Sequence, residues 1–290
     1  MNTDRDATLV FVDVDGDDAR LAGAWYPSES TTTRTALLHL HGKGGNFYQG
    51  PGLFLPQLDT EAQFAHLSLN MRCHDLGYTR YDKVMPDVGE GPVAVDGGMW
   101  ERMADGVEDV RAGVHWLTEN GYSEVVLVGH SSGAYYAAQT LSSSDAPSTV
   151  TGAVLLSTVI SYKRNLSTWF PDGALDSAID EAKDLVSRGL GNRLLPTEAW
   201  YYAISASSLL ERLAEPDGIF QDMLETIDVP VMFACGEREK RVDQWRAVFD
   251  SMPASAHKEW VVLPGVSHDY TGAEVRLAKE VGDFVVRSCQ

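Results

Sequence analysis

A serine set between glycines is the first arrangement in this chain that points to chemistry. Residues 129–133 read Gly129-His130-Ser131-Ser132-Gly133. An apolar run, Val125 to Val128, precedes them, and a helix-permissive run, Ala134 to Leu141, follows. Strand, sharp turn and helix in that order would strain the serine backbone and lift the Ser131 hydroxyl above a sheet. The glycines would remove Cβ atoms where the backbone crowds itself. The plainer alternative is a strand-to-helix turn with no chemical role. Ser132 can cap the helix under either reading.

A serine hydroxyl is a poor nucleophile at neutral pH. It needs a base within hydrogen-bond reach, and the base needs an orienting acid. Among the eight histidines, His39 and His66 fall inside expected strands and His115 on an expected helix. His130 sits in the turn itself, where its ring cannot easily face Ser131. His268, in Pro264-Gly265-Val266-Ser267-His268-Asp269, follows the last expected strand on a loop able to overhang the serine, and is the expected base. The acid is sought after the strand Val231 to Ala234. There Glu239 stands three residues beyond Gly236; Asp243 is the alternative and Glu237 a weaker one. After Leu156 no carboxylate appears until Asp172, which argues against an acid at that strand end.

Attack on a carbonyl makes an oxyanion, which needs donors already aimed at it. The N–H of Ser132 is one expected donor. The other is expected from His41-Gly42-Lys43-Gly44-Gly45, at Lys43, with Gly44 the alternative. The Lys43 ammonium would also favour an anionic substrate. A phosphate cradle is disfavoured there, because the turn lacks the Gly-Lys-Ser/Thr ending of a P-loop. Arg72, His74 and Asp75 are expected to form a polar latch beneath these loops.

The elements that must position these residues alternate. Residues 8–14 and 19–26 suggest a hairpin, followed by strands at 35–40 and 64–69. Residues 76–99, rich in Gly, Pro and Asp, read as an active-site loop. A helix is expected over 100–120, a strand over 151–156, and then strand 229–234, helix 239–251, strand 259–263 and helix 271–287. Such alternation implies a mostly parallel eight-stranded sheet with helices on both faces. It is interrupted at residues 158–228, where helical runs at 172–190, 197–214 and 217–227, and no strand, suggest a helical cap inserted after the sixth strand. The division is then a core of 1–157 and 229–290 with a cap of 158–228. Trp169, Phe170, Trp200 and Tyr201 are candidate pocket residues; alternatively they only pack the cap onto the core.

The 290 residues, 44% apolar, suffice for one large α/β domain with an insertion. A formal charge of −19 argues against nucleic acid and anionic membrane as partners. Cys73, Cys235 and Cys289 are too widely spaced to suggest a disulfide framework or a metal site. No apolar run approaches eighteen residues and no signal-peptide pattern is visible, so a cytoplasmic protein is expected. Oligomeric state is not readable.

His41-Gly42-Lys43-Gly44-Gly45-Asn46-Phe47-Tyr48, Asn70-Met71-Arg72-Cys73-His74-Asp75, the Ser131 turn and Gly265-Val266-Ser267-His268 together resemble the α/β-hydrolase superfamily over nearly the whole chain. The glycine turn ending in Asn-Phe-Tyr resembles a capped subgroup related to siderophore esterases. The resemblance implies the α/β-hydrolase fold, a covalent acyl-enzyme, no cofactor, and a small-molecule ester, lactone or amide as substrate. The chain departs from the pattern at Cys73, where glycine is usual, and at Glu239, where aspartate is usual. Two other functions use or discard the same residues: an acyltransferase or cyclase of secondary metabolism, and a non-catalytic small-molecule binding protein.

Overall fold

The run Val125–Val128 lies at the centre of the molecule because it has no polar face to give to water. The computed structural model describes residues 5–30, 32–59, 63–79, 95–171, 173–198, 203–253 and 257–289. In it the run belongs to β7 (Glu124–His130). Val125 and Leu127 enter one apolar cluster, and Val126 and Val128 enter another. Both faces of the strand are therefore covered, as a continuous apolar run requires.

Eight strands form the main sheet, in the spatial order β1 (Thr8–Asp13), β2 (Arg20–Tyr26), β4 (Ala65–Leu69), β3 (Thr35–Leu40), β7, β8 (Val150–Leu156), β11 (Val231–Gly236) and β12 (Lys258–Leu263). The first hairpin is antiparallel, pairing Thr8 with Trp25 and Asp13 with Arg20. β2 is antiparallel to β4, and all later neighbours are parallel. The expected mostly parallel eight-stranded sheet is what forms. Helices α1 (Pro51–Leu58) and α9 (Glu274–Ser288) cover one face through Leu55, Leu277, Val281 and Phe284. Helices α2 (Met103–Glu119) and α3 (Ser132–Leu141) cover the other through Val110, Val114, Tyr135 and Ala138. No described helix is long and apolar enough to cross a membrane.

The interruption lies between β8 and β11. It holds α4 (Tyr162–Leu166), α5 (Ala174–Ser187), β9 (Leu194–Pro196), β10 (Ala203–Ser205), α6 (Ala206–Leu213) and α7 (Ile219–Thr226). β9 and β10 form an antiparallel ribbon in an insertion where the sequence suggested no strand. Three residues per strand are too few for an alternating pattern to register. The expected helix over 197–214 starts only at Ala206, where the Ser205 side chain accepts the N–H of Ser208. The insertion has its own core around Leu166, Trp169, Phe170, Ala182, Leu195 and Leu209. Two buried carboxylates join it to the sheet domain. Glu215 accepts from Tyr135 Oη at 3.0 Å and Ser161 Oγ at 2.8 Å. Glu101 accepts from Tyr136 Oη at 2.7 Å and also from Arg212.

Of the expected loop at 76–99, the two ends pair as β5 (Tyr78–Thr79) and β6 (Val95–Asp96), and residues 80–94 lie outside the described residues. The helix expected from Glu239 starts later, as α8 (Val242–Ser251), so Glu239 stays in the loop after β11.

Candidate active site

Ser131 stands between β7 and α3 with φ 55° and ψ −115°. A non-glycine residue held there costs about 1–3 kcal/mol and persists only where its surroundings demand it. The surroundings are tight on both sides. A Cβ on Gly129 would come within 2.5 Å of Ala134 N, and one on Gly133 would overlap the Leu40 carbonyl. Ser131 N–H is fixed by the Leu156 carbonyl at 2.8 Å. Ser132 is not a cap: Ser131 occupies that position and its hydroxyl makes no cap hydrogen bond. Ser132 is instead buried in the first turn of α3, where helix N–H groups have no intrahelical acceptor.

His268 and Glu239 meet across the ends of β11 and β12. Gly236 permits the approach, since a Cβ there would lie 2.5 Å from the Val266 carbonyl. Arg238 N–H donates to Val266 O at 2.9 Å and ties the two loops together. His268 Nδ1 then lies 2.8 Å from Glu239 Oε2. The other oxygen, Oε1, accepts from Ser157 Oγ at 2.5 Å and Gly236 N–H at 3.0 Å. Burial alone would raise the Glu239 carboxyl, but the hydrogen bonds from His268, Ser157 and Gly236 together hold it below its ordinary value. An ionised Glu239 accepts only, so the imidazole proton belongs on Nδ1 and a neutral ring presents its lone pair at Nε2. Asp243 lies exposed in the first turn of α8, and Glu237 accepts from Gly265 N–H at 2.9 Å; neither bonds to His268.

Ser131 and His268 line the same two cavities, one of about 500 Å³ and one of about 410 Å³. Among the described residues neither Ser131 Oγ nor His268 Nε2 makes a hydrogen bond. His130, whose ring the sequence placed away from Ser131, braces the site from behind. Its Nε2 lies 2.9 Å from the His268 carbonyl, and burial beside His268 drives it down to about 3, so it stays neutral and donates that bond.

The glycine turn closes against the serine. A Cβ on Gly42 would lie 2.9 Å from Ser131 Cβ. Lys43 lines both cavities beside Ser131. Gly44 N–H is already given to the Cys73 carbonyl at 2.9 Å, which removes the alternative donor. His41 holds the turn in place: Nε2 accepts from Met71 N–H at 2.9 Å and Nδ1 donates to Gly42 O at 2.7 Å. Arg72 pairs with Asp109 at 2.7 Å and Asp17 at 2.8 Å, while Asp75 accepts from Asn46 and Tyr48.

The Lys43 ammonium is buried against the Gly98 carbonyl and lies 3.2 Å from Glu101, with the Trp169 ring of the insertion 5.4 Å away. Glu101 also takes Arg212, so two cations share one carboxylate. Burial, with the charge of Arg212, lowers Lys43 to about 8.

The larger cavity is bounded by Tyr162, Thr168 and Trp169 from the insertion and by Trp245 from α8. Of the candidate pocket aromatics, only Trp169 is placed there. Phe170 is buried in the core of the insertion, and Trp200 and Tyr201 lie outside the described residues. Ser157, Tyr270 and Trp245 were not singled out from the sequence. Ser157 carries no motif; its mark is a φ of 47°, visible only once folded. Among the described residues no group of His, Cys, Asp and Glu is placed to hold a metal ion.

Residues 37–280 match a family model described as the alpha/beta hydrolase family. The chain belongs to that family. No curated protein matches it significantly by sequence. Among solved structures, it is similar to Est1E from Butyrivibrio proteoclasticus with ferulic acid bound, at 14% identity and a TM-score of 0.69 over 96% of this chain and 98% of that one. It is similar to the Pyrococcus furiosus esterase Pf2001, at 15% identity and a TM-score of 0.67 over 99% and 93%. It is also similar to DcsB in complex with its substrate analogue, at 14% identity and a TM-score of 0.68 over 98% and 99%. At these identities the likeness is one of fold.

Proposed function

We propose that this α/β-hydrolase cleaves a carboxylic ester, lactone or amide of a small molecule through a covalent acyl-enzyme. Ser131 Oγ attacks the carbonyl carbon. His268 Nε2 takes the hydroxyl proton and passes it to the leaving group, while Glu239 holds the ring through Nδ1 and stabilises the imidazolium. The N–H groups of Ser132 and Lys43 receive the oxyanion, and the N-terminal end of α3 adds a favourable field. A water deprotonated by His268 then attacks the acyl carbon and releases Ser131. No cofactor enters this scheme.

The observation that carries the reading is the Glu239–His268 pair at 2.8 Å on the wall of a cavity that Ser131 shares. The strained backbone at Ser131 supports it, because strain of that kind is kept where it serves a function. Residues 158–228 are read as the lid over the larger cavity, with residues 1–157 and 229–290 as the core. Trp169 and Tyr162 would contact the substrate from the lid. The glycine turn ending in Asn46-Phe47-Tyr48 supports reading the chain as one of the capped, siderophore-esterase-like hydrolases. The test is labelling by a fluorophosphonate with peptide mapping, together with hydrolysis of aryl esters. Label on Ser131 and loss of turnover in Ser131→Ala are expected; full turnover by Ser131→Ala would refute the mechanism.

A further inference from the structure

Charge is distributed unevenly around the two cavities that meet at Ser131. The chain holds 42 acidic and 23 basic residues, so most cations find carboxylates. Arg246 pairs with Asp250, Lys279 with Asp283, Arg188 with Asp184 and Arg287 with Glu259. Three cations on the loop between β11 and α8 differ. Arg238, Lys240 and Arg241 all line the larger cavity, and among the described residues none of their side chains makes an ion pair or hydrogen bond. The carboxylates in that wall do not neutralise them: Glu239 is turned to His268, Ser157 and Gly236, and only Asp269 remains. The smaller cavity, which shares Ser131, Lys43 and Asp269 with the larger one, adds Glu274 and no arginine in its described lining.

Three cations that have no side-chain partner among the described residues line one cavity of a chain whose formal charge is −19, so positive charge is concentrated there. An arginine fork matches a carboxylate or phosphate in shape, and a lysine adds a point charge. We infer that the substrate carries an anionic group, a carboxylate or a phosphate, which enters the larger cavity along Arg238, Lys240 and Arg241 while the scissile carbonyl rests at Ser131. This deepens the hydrolase reading and rests on it.

Matched esters test the inference. 4-Acetoxybenzoate and 4-acetoxyphenyl phosphate are compared with neutral 4-acetoxybenzamide, which places the charge in the leaving group and ranks the two anions. Mono-4-nitrophenyl suberate is compared with 4-nitrophenyl octanoate, which places it in the acyl chain. In at least one set the anionic ester should show a kcat/KM about tenfold higher at low ionic strength, an advantage that shrinks as salt screens the field. In the combined variant Arg238→Gln, Lys240→Gln, Arg241→Gln, with Tm checked, that ratio should fall toward one. Turnover of the neutral esters as fast as their anionic partners in both sets would overturn the inference, as would a ratio the combined variant leaves intact. Turnover of none of the esters, with no fluorophosphonate label on Ser131, would instead overturn the hydrolase reading beneath it.

Discussion

His268 Nδ1–H donates a hydrogen bond to Glu239 Oε2 at 2.8 Å, and the same carboxylate accepts from two further donors, Ser157 and Gly236, on its other oxygen. All three donors favour the ionised carboxylate, and an ionised carboxylate is what an imidazolium needs beside it. In Glu239→Gln the amide offers one acceptor oxygen to three donors, so the ring loses its orientation, its partner charge, or both. Turnover of 4-nitrophenyl acetate should fall by about 10³–10⁴ in kcat. Asp243→Asn, on the exposed start of α8, should stay within about twofold of the parent. Steady-state kinetics on the two variants separate the acids.

Ser157 is a positioning residue in this scheme. Its single hydroxyl proton goes to Glu239, so Tyr270 Oη, 2.6 Å away, gives its own proton to Ser157 Oγ or to the Ala234 carbonyl. Glu239 sits below its ordinary value of 4.5 in the fold. A depressed carboxyl contributes stability that is complete above 4.5 and is lost as pH falls through the folded value. Ser157→Ala removes one donor, so Glu239 rises toward 4.5 and its contribution shrinks and disappears at a higher pH. The acid-unfolding midpoint should therefore move up in Ser157→Ala. In a Glu239→Gln background the same substitution should leave that midpoint unmoved, a result that general loss of packing would not give.

What the sequence made legible had a local signature. Val125–Val128 announced a strand covered on both faces, and the glycines around Ser131 announced a turn that tolerates no Cβ. Glu239 and His268 stood out because each lies on the loop that follows a strand. Contacts between distant segments had no such mark. Ser157 lies 82 residues from Glu239, and Glu101 lies 111 residues from Arg212. The first pair forms only where β8 and β11 lie side by side in the sheet, and the second only when the insertion folds against the sheet domain. The ribbon of β9 and β10 was missed for a different reason, since three residues cannot display a period. Lys43 shows the limit set by distant contacts: its buried ammonium meets Glu101 58 residues away, and nothing nearby in sequence told of that partner.

Gly42 is the glycine whose replacement should act on chemistry before stability. A Cβ at that position would sit 2.9 Å from Ser131 Cβ, and the turn would have to retreat. In the proposed mechanism, that retreat would carry the Lys43 N–H away from the oxyanion. Gly42→Ala should lower kcat by about 10²–10³, the loss seen when one oxyanion donor is removed. KM should move much less. Fluorophosphonate labelling of Ser131 should slow in parallel, since phosphonylation needs the same donors. A variant with normal kcat would show that the turn does not serve the oxyanion.

Glu101 holds the two buried cations Lys43 and Arg212, with Trp169 packed over both. Removing the shared carboxylate leaves two charges facing each other without an anion. Glu101→Gln should destabilise the fold by about 3–5 kcal/mol, the cost of breaking a buried pair from one side. Lys43→Met should cost less, because Arg212 and Glu101 remain a matched pair. The pH dependence separates the two cations. Lys43 is lowered from 10.5 to about 8 by burial and by Arg212, so between those values the unfolded chain holds a proton that the folded one has released. Stability gained from this group therefore rises as pH climbs from about 8 toward 10.5. Denaturant midpoints measured across that range should climb more steeply in the parent protein than in Lys43→Met. Equal slopes would mean that Lys43 keeps its proton and that Glu101 serves both cations fully.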